Sequence, residues 1–324
     1  MPLWFNSLVS ASASRSWWVR LLRGGVALTL VAWAVATATF GLMRAIPGGP
    51  LSRDRQLPES VRTALEARYH LDEPLWRQYV RYLGDAATGR FGWSYNDPGR
   101  TVGEIIAQRL PISVVLGALA LGLSLALAFP LGVAAALRPG GWPDRLNAFT
   151  AAAGVSVPSF IMGVLLLYVF SYRLRWFPAA GWRGPSSAVL PALALAALPT
   201  AYLARLIRSE LREVMSREFL VAARAKGLTL RRVVVVHALP HTLAPVLAWL
   251  GPQAAAVMTG SFVVERIFNV PGLGASFVNS ITNRNYPMIM GVTLVYTVLL
   301  VSLNMFSDTV ARRIDPRRGA PQTI

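Results

Sequence analysis

Residues 110–137 read LPISVVLGALALGLSLALAFPLGVAAAL, 28 positions in succession without a formal charge. A helix rises about 1.5 Å per residue and the hydrocarbon core of a bilayer is about 30 Å thick, so roughly 20 apolar residues cross it. This stretch is long enough to span. Working outward, five more stretches have the same character: 24–43, 146–172, 184–204, 242–264 and 285–307. The pattern predicts an all-α integral membrane protein with six transmembrane helices. Arg173 and Arg175 closely follow the third stretch, and Pro185, Pro191 and Pro199 lie in the fourth, so the ends of these two are the least constrained.

Composition agrees. Of 324 residues, 54% are hydrophobic and 15% charged, and the mean hydropathy of +0.46 excludes an ordinary soluble domain. The net charge of +17 suits an anionic membrane or a nucleic acid, but the basic residues are spread among the flanks of the spans and form no single soluble face. Nucleic-acid binding is therefore not expected. The absence of cysteine excludes a disulfide framework, a Cys-ligated zinc and a thiol nucleophile.

The first stretch follows Arg15, Arg20 and Arg23 and contains Ala34-Val35-Ala36, which mimics a cleavable secretory signal. Its apolar run is too long for that and has Trp33 at its middle, so an uncleaved anchor is the reading adopted. Orientation follows from basic residues in short flanks. With the N-terminus inside, 17 of the 32 basic residues fall on inner segments, eight of them in 205–232. Ten of the remainder lie in the long segment 44–109 beside eight acids, and long balanced loops translocate largely regardless of charge. Both termini are thus expected in the cytoplasm, although Arg173, Arg175 and Arg183 fall outside against the rule.

None of the six stretches carries Asp, Glu, Lys, Arg or His in its interior, which argues against a proton-coupled secondary carrier. Energy must come from elsewhere. A phosphate-cradling GxxxxGK[ST] loop is absent, since the single lysine, Lys226, precedes Gly227. The chain holds three histidines, of which His237 and His241 are four apart, but no Glu lies between them and Pro240 disturbs the turn. His70 belongs to the polar segment and is expected in solvent. Neither a metal site nor catalytic residues are expected, and the chain is not read as an enzyme.

Arg205 to His241 is the longest inner segment. In SELREVMSREFLVAARAKGLTLRRVVVVHALPHTLAP, Val214, Glu218, Val221, Ala222 and Ala225 fall at helical spacing, so the segment is predicted helical with one break. Gly227 supplies the positive φ that ends one helix and lets another start at a new angle. The expected result is a cytoplasmic knob, with Ala222 and Ala223 as a flat face for a partner and Arg224 and Lys226 as surrounding charge. The same charges would also suit an amphipathic helix lying on anionic headgroups.

This stretch resembles the cytoplasmic EAA loop of the membrane subunits of bacterial ATP-binding-cassette importers. The pattern EAA, three residues, Gly, nine residues, I-x-L-P lies over Val221-Ala222-Ala223, Gly227 and His237-Ala238-Leu239-Pro240, departing at Val221 and His237. The peptide branch has its own version, YVRTARAKGL, and EFLVAARAKGL at Glu218 to Leu228 is very similar to it. Other segments resemble that branch in order: MRAIPGGP from Met43, LDEPLWRQYVRYLGDAATGRFGWSY from Leu71, RLPIS from Arg109, GVSVPSF from Gly154, RWFPAAGW from Arg175, TGSFVVERIFNVPGLG from Thr259, NRNYP from Asn283 and DPR at Asp315.

The resemblance implies a type I importer permease, one of two homologous permease chains in an oligopeptide- or dipeptide-type system of the bacterial inner membrane. Two ATPase subunits beneath, which carry the ATP and Mg, and an extracytoplasmic solute-binding protein would complete it. No cofactor is implied on this chain. Glu218, Ala222, Ala223, Arg224, Lys226, Gly227, Leu239 and Pro240 would couple it to the ATPase. The implied organisation is an N-terminal tail and first helix (1–43), an extracytoplasmic loop (44–109), a core of five helices (110–311) with the coupling loop at about 209–240, and a cytoplasmic tail (312–324).

The loop 44–109 is too long for a connector. A short helix is expected from Pro58 to Leu71. Tyr79, Tyr82, Phe91, Trp93 and Tyr95 suit either docking of another protein or an aromatic belt at the headgroups. By the resemblance, Tyr79 and Trp93 would meet the binding protein. Glu265 and Arg266, just beyond the fifth stretch, are expected to form a local ion pair or part of an outer gate. Pro130, Pro158, Pro191, Pro199, Pro245 and Pro252 are candidate kinks. Permeases for nickel or glutathione resemble this branch closely, and a standalone carrier is the alternative from another class.

Overall fold

The computed structural model describes residues 3–46, 59–97 and 99–314. The stretch 47–58, which includes the end of MRAIPGGP and Pro58, and everything from position 315 on, including DPR and most of the expected tail, lie outside the described residues.

Helix α1 (Leu3–Ala45) contains the first apolar stretch, with Leu22–Ala45 long and apolar enough to cross a membrane. The polar segment after it holds two short helices, α2 (Glu59–Arg68) and α3 (Leu75–Ala87). Helix α4 (Val102–Leu137) begins about two turns ahead of the second stretch. The third stretch departs from expectation. In place of one span over 146–172 the chain forms α5 (Trp142–Ser156) and α6 (Ser159–Leu166), the latter continued by π-helical turns at Leu167–Arg173, and the two meet at 105°. Pro158 is the cause, because a residue before proline is pushed out of the helical region, and Val157 is extended at φ −102, ψ 112. The other prolines read as kinks, Pro130, Pro191, Pro199, Pro245 and Pro252, lie inside continuous helices.

Helix α7 (Pro185–Met215) runs past the expected end at 204, so Arg205, Arg208 and Arg212 sit on a helix and not in a loop. Then come α8 (Glu218–Ala225) and α9 (Leu230–Arg232), which passes through π-helical turns at Val233–Ala238 into α10 (Leu239–Gly260). The last described elements are α11 (Phe262–Ile267), α12 (Leu273–Thr282) and α13 (Tyr286–Ile314). Among the described residues five segments have the length and apolarity to cross a membrane, or six if the bent α5–α6 pair is one span. Among the described residues there is no strand, only an isolated bridge between Trp93 and Thr101.

The chain divides into two compact units. One comprises the residues up to Gly103 together with Ser280–Met305. In it α3 is tied to α1 by hydrogen bonds from Arg44 to Gln78 and between Tyr79 and Thr37 (2.7 Å), and by the Phe40 ring against Tyr79 and Tyr82. Asn285 Nδ2 donates to Ser94 at 2.8 Å while its Oδ1 accepts from the Tyr95 amide, fixing the loop to the start of α13. Burial there pushes the Tyr95 phenol well above its ordinary value.

The other unit comprises Glu104–Asn279 and the chain from Phe306. Helix α7 is its centre, with two thirds of its apolar window buried (67%), which is why it is the least lipid-like of the long helices. Its side chains divide among three clusters: Leu190 and Ala194 with Leu116, Val264 and Phe268; Leu203 and Ile207 with Ala128 and Val246; Leu211 and Val214 with Leu220 and Val233. Polar groups follow the same logic of pairing in an apolar interior, since Asn147 donates to the Ala204 carbonyl at 3.0 Å and Ser124 to that of Ala196 at 3.2 Å.

Candidate functional site

The segment from α7 to α10 makes a projection whose form is set by two breaks, one more than expected. At the first, Ser216 Oγ donates to the Glu213 carbonyl at 2.7 Å, a local bond that competes with helix continuation, and Arg217 turns extended at φ −71, ψ 143. The break resets the helical phase. Of the residues expected on one face, Val214 is buried while Glu218, Val221, Ala222 and Ala225 are exposed. Leu220, fully buried, is the side chain that seats α8 against Leu211, Val214, Val233 and Ala238.

The second break is at Gly227, with φ +82. The Gly227 amide donates to the Arg224 carbonyl at 2.9 Å and the Leu228 amide to that of Ala223 at 3.4 Å, the paired bonds of a Schellman motif. Leu228 and Ala223 both pack on the Leu220 cluster, the apolar contact that accompanies such a cap. A Cβ on Gly227 would meet nothing within 4 Å, so backbone conformation and not crowding selects glycine here.

Of the residues read as coupling sites, Glu218, Ala222, Arg224, Lys226, Gly227 and Pro240 are exposed and Leu239 is half-buried. The flat Ala222–Ala223 pair is not formed. Adjacent helical positions point about 100° apart, so Ala222 faces out while Ala223 turns toward the core. The open side of α8 carries Phe219 and Val221, 44% and 59% exposed, and Phe219 stands edge-on to His241 at 5.4 Å. That apolar exposure was not anticipated.

A second constellation surrounds Glu265, whose side chain is fully buried. Its Oε1 accepts from Ser113 Oγ at 2.7 Å and Ser261 Oγ at 2.6 Å, and its Oε2 from the Ala275 amide at 2.9 Å. Ser113 Oγ in turn accepts from the Leu273 amide at 2.8 Å. One carboxyl group thus joins α4, α11 and the start of α12. A Cβ on Gly272 would lie 2.4 to 2.6 Å from the carboxyl atoms, so glycine is demanded there by close approach. Arg109 donates to Ser276, whose Oγ donates to the Gly272 carbonyl at 3.0 Å.

The expected ion pair between Glu265 and Arg266 is absent. Neighbours on α11 diverge, and Arg266 Nη1 instead donates to Asn279 Oδ1 at 2.5 Å. Tyr79 is half-buried and committed to Thr37 and Phe40, whereas Trp93 is 47% exposed. Sequence reading missed the partners. Ser113, Ser261 and Gly272 lie within RLPIS and TGSFVVERIFNVPGLG, but nothing local indicates that one carboxyl gathers them. It also missed Asp144, which accepts from Nε and Nη2 of Arg208 (3.0 Å for the second) and from the Gly140 amide at 2.9 Å. Asp144 is the one acid in the basic segment 138–145, a signal that could have been used.

The family described as the inner membrane component of binding-protein-dependent transport systems matches residues 128–319. The chain is 41% identical over 290 residues to the dipeptide transport system permease protein DppB of Lactococcus lactis, covering 90% of this chain and 95% of that one. It is 42% identical to DppB of Bacillus subtilis and 38% identical to the oligopeptide transport system permease protein OppB of Salmonella typhimurium, covering 87% of this chain and 92% of each relative. Among solved structures it is similar to an amino acid ABC transporter (TM-score 0.51, 18% identity, 65% of this chain and 94% of that one). The inward-facing methionine transporter MetNI has the same score and identity and is covered to 96%. At this identity the likeness is one of fold.

Proposed function

The chain belongs to the family of inner membrane components of binding-protein-dependent transport systems, and from that premise we propose that it carries short peptides inward as one of two permease subunits of an ATP-driven importer. The observation that carries the peptide assignment is the likeness to dipeptide permeases along nearly the whole chain. ATP and Mg belong to two partner ATPases, and an extracytoplasmic binding protein delivers the solute. In this reading the chain crosses the membrane six times, α5 and α6 counting as one broken crossing. Both termini are cytoplasmic, as the distribution of basic residues favours, and the organisation is that of tail and first helix, outer loop 44–109, core 110–311 and cytoplasmic tail.

Coupling runs through α8. Closure of the ATPases on ATP moves whatever groove holds α8, and Leu220 passes that displacement to α7 and α10 at once, because it packs on Leu211 and Val214 from one and on Val233 and Ala238 next to the other. A close-packed contact transmits displacement instead of absorbing it. Glu218, Ala222, Arg224, Lys226 and the Gly227 turn form the contact, with Phe219 and Val221 as its apolar part. On the outer side, Glu265 holds α11 and α12 to α4 as a structural pin of the gate region, with Arg266 facing outward from it. Trp93 is the ring left for the binding protein.

Purification of the tagged chain from its native membrane in mild detergent tests the assignment. The expected result is recovery of a second six-span chain and an ATPase. Recovery of this chain alone, with solute uptake of its own in proteoliposomes, would refute it.

A further inference from the structure

Helix α3 belongs to the long polar segment, yet it descends along a membrane helix. At one end Gln78 is bonded to Arg44, one residue from the end of α1. Further along, Tyr79 and Tyr82 meet Thr37 and Phe40. At its other end Leu83, Ala86, Ala87 and the following Phe91 line a groove of about 480 Å³ with Leu28, Ala32, Trp33 and Ala36 of α1 and with Leu294 and Val298 of α13. From Ala45 back to Ala32 is about 20 Å of helix, so the lower half of α3 lies at the level of the apolar run 24–43.

The open face of α3 divides in two. At 100° per residue Trp76 and Val80 share one sector, and they are 63% and 61% exposed. Arg77 and Arg81 share another. The Arg77 guanidinium lies over the Trp76 ring at 5.2 Å, at the border between the two sectors, and Arg81 pairs with Glu73 at 2.6 Å. The third sector is spent on α1. An apolar strip bordered by arginines, held at that depth, is what an interfacial helix presents to acyl chains and phosphates.

We propose that the Trp76–Val80 face of α3 is embedded in the membrane, against acyl chains and phosphates of the leaflet on its side, and is not a docking face for the solute-binding protein. The placement is independent of which solute is carried. It makes the loop 44–109 partly a membrane element, with α3 holding the end of α1 at a fixed depth.

The absence of cysteine makes the test direct. Single variants Val80→Cys, Trp76→Cys and Arg77→Cys are produced within the whole transporter, and cells are exposed on the side carrying α3 to a charged, membrane-impermeant maleimide, with labelling read on this chain's band; the parent chain is separately irradiated with a lipid-dissolved carbene photoreagent and its labelled residues are mapped. An ionised reagent is excluded from hydrocarbon, so Val80→Cys and Trp76→Cys should react with it at least about tenfold more slowly than Arg77→Cys. Trp76 and Val80 of the parent chain should carry the carbene label, which needs no thiolate, and added binding protein should change neither that label nor the maleimide rate at position 80. Rapid reaction of Val80→Cys with the charged reagent, suppressed by binding protein, would overturn the proposal in favour of docking. Slow reaction of Val80→Cys with the maleimide together with no carbene label at position 80 would overturn it in favour of a protein neighbour.

Discussion

Glu265→Ala is expected to lower the stability of the assembled permease by about 3–5 kcal/mol, from the buried donors it orphans and the cavity it leaves. The substitution leaves Ser113 Oγ, Ser261 Oγ and the Ala275 amide without the acceptor they now share, in a site with no exposure to water. Each orphaned donor costs about 1–3 kcal/mol, which makes the larger figure plausible even if the serines partly re-pair. Glu265→Gln separates shape from chemistry. It keeps one oxygen for the two serines but turns an amide N–H toward the Ala275 N–H, so a smaller loss of about 1–2 kcal/mol follows. The check is the thermal midpoint of the detergent-solubilised complex for wild type, Gln and Ala. The order wild type, Gln, Ala is expected, and an Ala variant as stable as wild type would show that the carboxyl group pins nothing.

Gly227→Trp should leave assembly partly intact and abolish transport. The indole would stand on the exposed turn of α8, where the proposed ATPase groove must close. The control is Gly227→Ala. At φ +82 an L-residue costs about 1–2 kcal/mol, and a methyl group there meets no neighbour, so alanine introduces strain without bulk. Transport by the alanine variant should therefore fall much less than that of the tryptophan variant, measured as peptide uptake against the amount of assembled complex. Equal loss in both would assign the effect to strain in the turn and remove the reason to place a partner there.

The spans and the turn were legible because each rests on a local property. Apolar length alone locates α1, α4, α7, α10 and α13, and KGL after a helical run is enough to place the cap at Gly227–Leu228. What escaped depends on contacts distant in sequence or on phase. Pro158 was read as one kink among six, and no rule of spacing separates it from Pro191 or Pro199, which stay inside α7 where packing on both sides holds the helix together. The Ser216 break shifted the faces of α8 and so reversed the reading of Ala223 and Val221. Glu265 and Arg266 look like a pair on paper because they are adjacent, yet adjacency on a helix separates them, and the true partners of Glu265 include a serine 152 positions away. The same holds for Tyr79, whose hydroxyl is spent on a residue 42 positions earlier.

The measurement closest to the central claim is ATP hydrolysis by the purified complex in proteoliposomes, with and without a peptide-loaded binding protein, with peptide uptake followed in the same vesicles. The account predicts hydrolysis that rises on addition of the loaded binding protein, uptake that requires ATP, and loss of both responses in Gly227→Trp. Uptake by this chain without ATPase subunits, or hydrolysis indifferent to the peptide-loaded binding protein, would contradict it.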